Sequence, residues 1–443
     1  MGTESSLQTL PKELVDQIVG FANDDDILSL RLTCRILEAK TFTNFTDTYF
    51  SVLKYDLSRY DTEFISLLAA NERLRSAVKI LRICTTRCTR QTSGATYSLG
   101  PKPLGHGYEW ERGTYGELAG SLAIADDLGD LLKCKFINCR RFEITSSKTV
   151  MDNAMYGSYS LTPSDAIVIL FKAISRKTIP VNSFDIDFRR FGPRLLLDPS
   201  RLYPLLVDKI SGNEWSQLDS LYLRSCLQEN PFAMNIILYL IESADSLRKL
   251  HIELNPDFTD QLLLGRLSKS ASLPALRSIN LLRIHVEDSN VLMEFLSRFE
   301  HTLTSIIFGY VTLYSNGWKQ LIQDIGEKLA KLISFTFCNG VENDDDVLSE
   351  MFFCRLREDP SIPGDRFGIF QLSDSPTLVR DKVRVAGVHY RGRFMRGALA
   401  KVANSAYLLS TSGFAATQGP ESPHLAGKDP DLPRVLGFQL LED

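Results

Sequence analysis

The sequence predicts an α/β repeat, in which short strands and amphipathic helices alternate along a solenoid, with a small helical module before it and an irregular tail after it. Three observations carry this expectation. A pattern Leu-x-x-Leu-x-Leu recurs at a steady interval from residue 218 to residue 337, helix-spaced apolar residues fill each interval, and residues 9 to 50 hold a separate cluster of short amphipathic segments. The composition permits it: 44% of the 443 residues are hydrophobic and 23% are charged, so neither bulk disorder nor a fibrous architecture fits. The formal charge of -4 is too small for the whole surface to attract a polyanion, and a nucleic acid would need a local patch.

The first element begins at Pro11, a residue suited to the first turn of a helix because its missing N–H has no partner there anyway. Leu10, Leu14 and Ile18 recur every fourth residue and form a stripe. Asn23 or one of Asp24 to Asp26 caps the next helix, whose Ile27, Leu30, Cys34 and Leu37 share a face. About 40 residues cannot hide so much apolar surface, so part of the stripe is expected to meet a partner.

The regular repeats follow later in the chain. The fourth residues of the pattern are Leu221, Leu250, Ile279, Ile306 and Phe335, separated by 29, 29, 27 and 29 residues. Between them, Pro231 to Ala244, Thr259 to Ser268, Ser289 to Phe299 and Gly317 to Leu332 read as helices. Val78 to Ile83, Cys139 to Ile144 and Val181 to Ile186 read as earlier, degenerate strands. The insertion 85–130, rich in Gly, Ser, Thr and aromatics such as Tyr97, Tyr108, Trp110 and Tyr115, reads either as a partner-binding loop or as a floppy one. Asp344 to Asp346 would cap a closing helix, Val347 to Leu356, and seven prolines then make the tail irregular. The domain division expected is 7–50, 51–356 and 357–443.

Within the tail, Arg380 to Lys401 carries a net charge of +6. Arg391-Gly392-Arg393 and Arg396-Gly397 give it an RNA-binding flavour, although a solvated linker or an accessory strand using Val383, Val385 and Tyr390 is the reading preferred. Nucleic acid is therefore not expected as a principal partner.

No His-Glu-x-x-His, glycine-lysine phosphate loop or nucleophile elbow occurs, so no reaction class has its groups at the needed spacing. A non-catalytic protein without cofactors is expected. Cys84 with Cys88 and Cys134 with Cys139 have spacings that zinc would accept, but core or loop thiols are the better reading. Strand alternation turns the leucines inward and sets Asp185, Asp187, Tyr222, Arg224, His251, Glu253 and Asn280 outward, with Leu282 and Thr336 beside them, as a ladder for a target protein. No apolar run suggests a membrane span or a signal peptide, and cytosol or nucleus is the expected location.

Leu10-Pro11-Lys12-Glu13-Leu14 with Ile18, then Asp26, Leu28, Leu30, Arg31, Cys34 and Arg35, resembles the F-box. The family often has Trp three residues after the Cys, where this chain has Leu37. The repeat, with Cys226 and Cys338 following their strands, resembles the cysteine-containing leucine-rich repeats common behind F-boxes. The resemblance implies a leucine-rich-repeat horseshoe behind a three-helix F-box. It further implies a substrate receptor of a cullin-RING ubiquitin ligase, docking a Skp-type adaptor through Leu10, Pro11, Leu14, Ile18, Leu28 and Leu30.

Overall fold

The computed structural model describes residues 7–84, 104–114, 116–119, 123–145, 161–187, 201–202, 205, 212–224, 231–254, 261–270, 272–314, 317–344, 347–353, 366–371, 387–410 and 439–440. The chain divides into two compact units, Met1–Val181 with Val207–Ile210, and Asn182–Leu206 with Ser211–Asp443.

The first unit opens with four short helices, α1 (Lys12–Phe21), α2 (Asp24–Thr33), α3 (Arg35–Lys40) and α4 (Phe42–Tyr49). Pro11 sits just before α1, and Asn23 caps α2 by accepting the Asp26 N–H at 2.9 Å. Val15, Val19 and Ile27 form a minimal core, with Leu10, Ala22 and Leu30 packed against it. Arg31 ties the helices together: its guanidinium lies 3.9 Å from the Phe45 ring centre and donates to the Glu38 carboxylate and carbonyl, both at 3.0 Å. Arg73 reaches the same carboxylate at 3.3 Å and lies 4.0 Å from the Phe42 ring centre. It belongs to α6 (Glu72–Arg75), which follows α5 (Arg59–Ala70).

Three parallel strands follow in register, β1 (Val52–Tyr55), β2 (Ile80–Cys84) and β3 (Arg141–Thr145), and α7 (Ala123–Cys134) packs on α8 (Pro163–Lys177). Residues 104–114 and 116–119 form a packed arm in this unit. Leu104, Trp110 and Leu118 are buried, and the Trp110 indole donates to the Gly105 carbonyl at 2.9 Å. Gly105 has φ +71, and a Cβ there would lie 2.5 Å from Leu161, so the close approach of the arm requires glycine.

In the second unit, β4 (Ser183–Asp187), β5 (Ser220–Arg224), β6 (Lys249–Glu253), β7 (Ser278–Leu282), β9 (Ser305–Gly309) and β11 (Ser334–Cys338) are parallel neighbours in chain order. The recurring apolar positions are lateral partners: Phe184, Leu221, Leu250, Ile279, Ile306 and Phe335 lie side by side and are buried. Between strands run α9 (Pro231–Glu242), α10 (Gln261–Lys269), α11 (Ser289–Ser297) and α12 (Trp318–Lys328).

After β7, β9 and β11 the chain turns through a left-handed residue, Arg283 (φ 54), Tyr310 (φ 55) and Asn339 (φ 49) respectively. Each turn leads into a strand of a second sheet, β8 (His285–Val286), β10 (Thr312–Leu313) or β12 (Val341–Asp344). The N–H of Arg283 donates to the Gly309 carbonyl and that of Tyr310 to the Cys338 carbonyl, so the first two corners are each tied to the next strand. These contacts offset the roughly 1–2 kcal/mol that a side chain costs in this conformation.

The C-terminal region completes both sheets. β13 (Val347–Phe353) pairs antiparallel with β12 and β16 (Ala406–Ser410) antiparallel with β13 in the second sheet, whereas in the main sheet β15 (Gly387–Arg391) pairs antiparallel with β11, β14 (Arg366–Gln371) with β15 and β17 (Gln439–Leu440) with β14, each again antiparallel. A final helix, α13 (Met395–Ser405), packs on α12.

The architecture is thus an α/β fold with a mostly parallel sheet behind N-terminal helices, and it corrects the leucine-rich-repeat horseshoe. A steady period specifies parallel neighbours joined by helices, which α/β folds share; it does not specify a horseshoe, and here antiparallel strands close the sheet. The tail is not irregular throughout. Val347–Phe353 is a strand and not a helix, because its pairing partners β12 and β16 override its local spacing. The N-terminal module has four helices and not three. Part of the 85–130 insertion is the packed arm, and its last residues belong to α7. Tyr97, Tyr115, Cys88, Cys226, Asp345, Asp346, Val383 and Val385 lie outside the described residues.

Candidate docking surfaces

The N-terminal helices divide their apolar residues between two faces. Val15 and Val19 turn into the small core, and one position away Leu14 (44% exposed), Ile18 (42%) and Phe21 (93%) turn outward at helical spacing. α2 and α3 add Leu28 (40%), Leu32 (87%) and Ile36 (51%). Of the sequence-predicted adaptor residues, Leu14, Ile18, Leu28 and Pro11 are exposed, while Leu10 and Leu30 are half-buried against the core. The stripe read from Leu10, Leu14 and Ile18 is therefore split, because Leu10 lies before the first helical turn. Phe21, Leu32 and Ile36 were missed. Their signal is the spacing 14, 18, 21 and 28, 32, which continues the same faces.

In the second unit, strand alternation sets the predicted ladder opposite the leucines. Arg224 bridges two carboxylates of β4, donating to Asp185 at 2.7 Å and to Asp187 at 3.4 Å, and lies 5.5 Å from the centre of the Tyr222 ring. Tyr222 neighbours His251 at 5.8 Å between ring centres. His251 Nε2 lies 3.9 Å from Glu253, and Arg283 Nε approaches the same carboxylate at 3.9 Å. Asn280 is the lateral partner of His251, and further along Thr336 Oγ1 hydrogen-bonds His389 Nδ1 at 2.8 Å. Burial, with the Arg391 cation second, holds the His389 imidazole below its ordinary value, so it is neutral at neutral pH.

The structure brings these residues together, but not as a freely solvated row. His251, Glu253, Leu282 and Thr336 are buried, which corrects their reading as open contact positions. Asp185, Asp187, Tyr222, Arg224 and Asn280 are partly accessible. The carboxylates and guanidinium groups largely neutralise one another, so the ladder offers shape and hydrogen bonding more than a field. Arg224 is structural as well as accessible. Arg224→Ala is expected to cost about 1–3 kcal/mol in urea unfolding, because Asp185 and Asp187 lose a shared cation while still partly desolvated. Tyr222→Ala is the cleaner probe of target capture, since it leaves both ion pairs in place. A change below half a kcal/mol for Arg224→Ala would show that the bridge does not form in solution.

Among the described residues no group of three or more His, Cys, Asp or Glu side chains is placed to hold a metal ion. Cys139 and Cys338 are buried, and burial pushes each thiol up to about 12, so neither is a thiolate at neutral pH. No helix among the described residues is long and apolar enough to cross a membrane. In sequence comparison, no family model and no curated protein matches the chain.

Proposed function

We propose that the chain is a non-catalytic docking subunit, with an F-box-type module at residues 7–50 that binds a Skp-type adaptor and through it a cullin-RING ubiquitin ligase. A target protein would sit on the partly accessible ladder around Tyr222 and Asn280. The observation that carries the reading is the disproportion in the N-terminal helices: Val15, Val19, Ile27 and Leu37 are buried, while Leu14, Ile18, Phe21, Leu28, Leu32 and Ile36 stand in solvent. Solvating such a cluster is unfavourable by roughly 25 cal/mol for each Å² of apolar surface, and covering it with a partner recovers that energy. In such an assembly the chain supplies no acid, base or nucleophile. It raises the effective concentration of a target lysine beside a charged conjugating enzyme held on the same scaffold.

Titration calorimetry of the full chain with a purified Skp-type adaptor tests this. Leu14→Asp is expected to weaken binding by at least about 2 kcal/mol, roughly thirtyfold, since it sets a charge in the centre of the face. Its melting temperature should hardly change, because Leu14 is already half in water. Wild-type chain that fails to bind, or Leu14→Asp that binds as well as wild type, rules the interface out. Adaptor binding without cullin recruitment would make the chain a scaffold outside the ligase.

A further inference from the structure

We propose that the turn joining β15 to α13 binds single-stranded nucleic acid, with Phe394 as a stacking platform and Arg391, Arg393 and Arg396 as phosphate ligands. This goes beyond the docking reading and does not depend on it. The turn is held in place and is not a loose tail. The Gly392 N–H donates to the Ile333 carbonyl at 3.0 Å, and the Phe394 N–H donates to the hydroxyl of Tyr390 at 3.2 Å. Tyr390 and Leu399 are fully buried, and Leu399 seats α13 against Gly326 of α12.

On this fixed turn, every side chain that nucleic acid would use points to water. Phe394 is 57% exposed, and all three arginines are exposed. Arg391 and Arg393 have no carboxylate within ion-pair distance among the described residues. Among the described residues Arg396 has only Glu327, 4.0 Å away with both side chains mostly in solvent, a contact of little energy. Lys331 and Ile333 are exposed at the adjoining end of β11. The chain carries a net charge of -4, so this is the kind of local basic patch that a polyanion would require.

Two features favour a nucleic acid over an acidic protein segment. Phe394 stands proud of the surface, and a base can cover an aromatic face from outside, whereas a protein anchor needs a pocket to fill. The rest of the turn, Gly392, Met395 and Gly397, has no amide or hydroxyl side chain to read base edges, so recognition would rest on backbone and stacking and tolerate any sequence.

Fluorescence anisotropy of the full chain with labelled twenty-nucleotide oligouridylate and oligothymidylate, across a salt series, tests the proposal. Binding should fall with log salt at a slope of about -2, from about -0.7 for each of three neutralised phosphates. Arg393→Ala should reduce that slope by about 0.7. Phe394→Ala should weaken binding by roughly 5- to 150-fold with the slope unchanged, since stacking carries no counterion release. Both replaced side chains are exposed, and a melting curve for each variant checks that the fold is kept. The proposal is overturned by absent binding at low salt, by Phe394→Ala binding as wild type, or by polyglutamate displacing the oligonucleotide as effectively as unlabelled oligouridylate does. The last outcome would make the turn a site for acidic protein segments.

Discussion

Asp165→Ala is expected to destabilise the first unit by about 3–5 kcal/mol, among the largest effects of any single change in the chain. The Asp165 side chain is fully buried and accepts four hydrogen bonds. Two come from the Arg112 guanidinium, at 2.6 and 2.9 Å, and two from Thr162, whose N–H and hydroxyl lie at 2.7 and 2.9 Å. The same carboxylate thus completes the N-terminal capping box of α8 and fastens the packed arm. Removing it leaves the Arg112 guanidinium, 14% exposed, without its bidentate partner and the first turn of α8 without its reciprocal cap. Urea unfolding of Asp165→Ala, Arg112→Ala and the double variant checks the pairing. The double variant should cost far less than the sum of the single changes, and additive costs would mean that the two side chains do not share one interaction.

In the second unit the largest loss is expected from Trp318→Ala, again about 3–5 kcal/mol. Trp318 is fully buried at the start of α12, edge-on to Phe337 with ring centres 4.5 Å apart and 5.7 Å from Phe308. Its indole donates to the Val341 carbonyl at 3.1 Å, so one side chain joins the helix, the main sheet and the second sheet. Alanine there opens a cavity and takes the indole donor from the Val341 carbonyl. Thermal unfolding should show the loss, and amide exchange should rise in β10 and β12 first. Trp318→Phe should recover the ring packing but not the hydrogen bond, leaving a deficit of about 1 kcal/mol. A cost below 1 kcal/mol for Trp318→Ala would mean that the junction repacks around the gap.

These two positions also mark where the sequence stopped being informative. The alternation of strands and helices from Leu218 to Phe337 was legible because each element declares itself within its own residues. Leu221 and Leu223 face inward because a strand alternates, and Leu292, Phe295 and Leu296 do so because a helix repeats. Neither signal says what the sheet does at its ends, so parallel neighbours were visible and the antiparallel closure was not. Val347–Phe353 shows the same limit at one edge: β12 ends at Asp344 just before it, but its other partner β16 begins only at Ala406, and no local pattern anticipates a strand supplied from so far away. Trp110 lies in an insertion read either as a partner-binding loop or as a floppy one, because aromatics in a Gly-rich stretch show neither a strand nor a helix period, and Arg112 beside it carries no signal of its own. Their true partners, Gly105 and Asp165, are known only once the chain is folded.

For the docking surfaces the split is similar. The outward set Leu14, Ile18 and Leu28 follows from helical spacing, whereas the burial of Leu10 depends on the helix beginning only after Pro11. In the ladder, strand alternation places His251 and Glu253 opposite the leucines, but it cannot register that Asp185 and Asp187 share the Arg224 cation there.

The antiparallel closure of the main sheet has a consequence in time. From β5 to β11 each strand finds its parallel neighbour after only 27 to 29 residues of further synthesis, so pairing can follow the ribosome closely. β11 is different, because Thr336 and its partner His389 are 53 residues apart. At roughly 5–20 residues per second, the unpaired edge of β11 waits about 3–10 s for β15 to emerge. During that interval Ser334-Phe335-Thr336-Phe337-Cys338, an uncharged and mostly apolar strand, is the segment of this unit most open to pairing with another chain. The yield of soluble protein should therefore depend on how quickly residues 339–391 are translated.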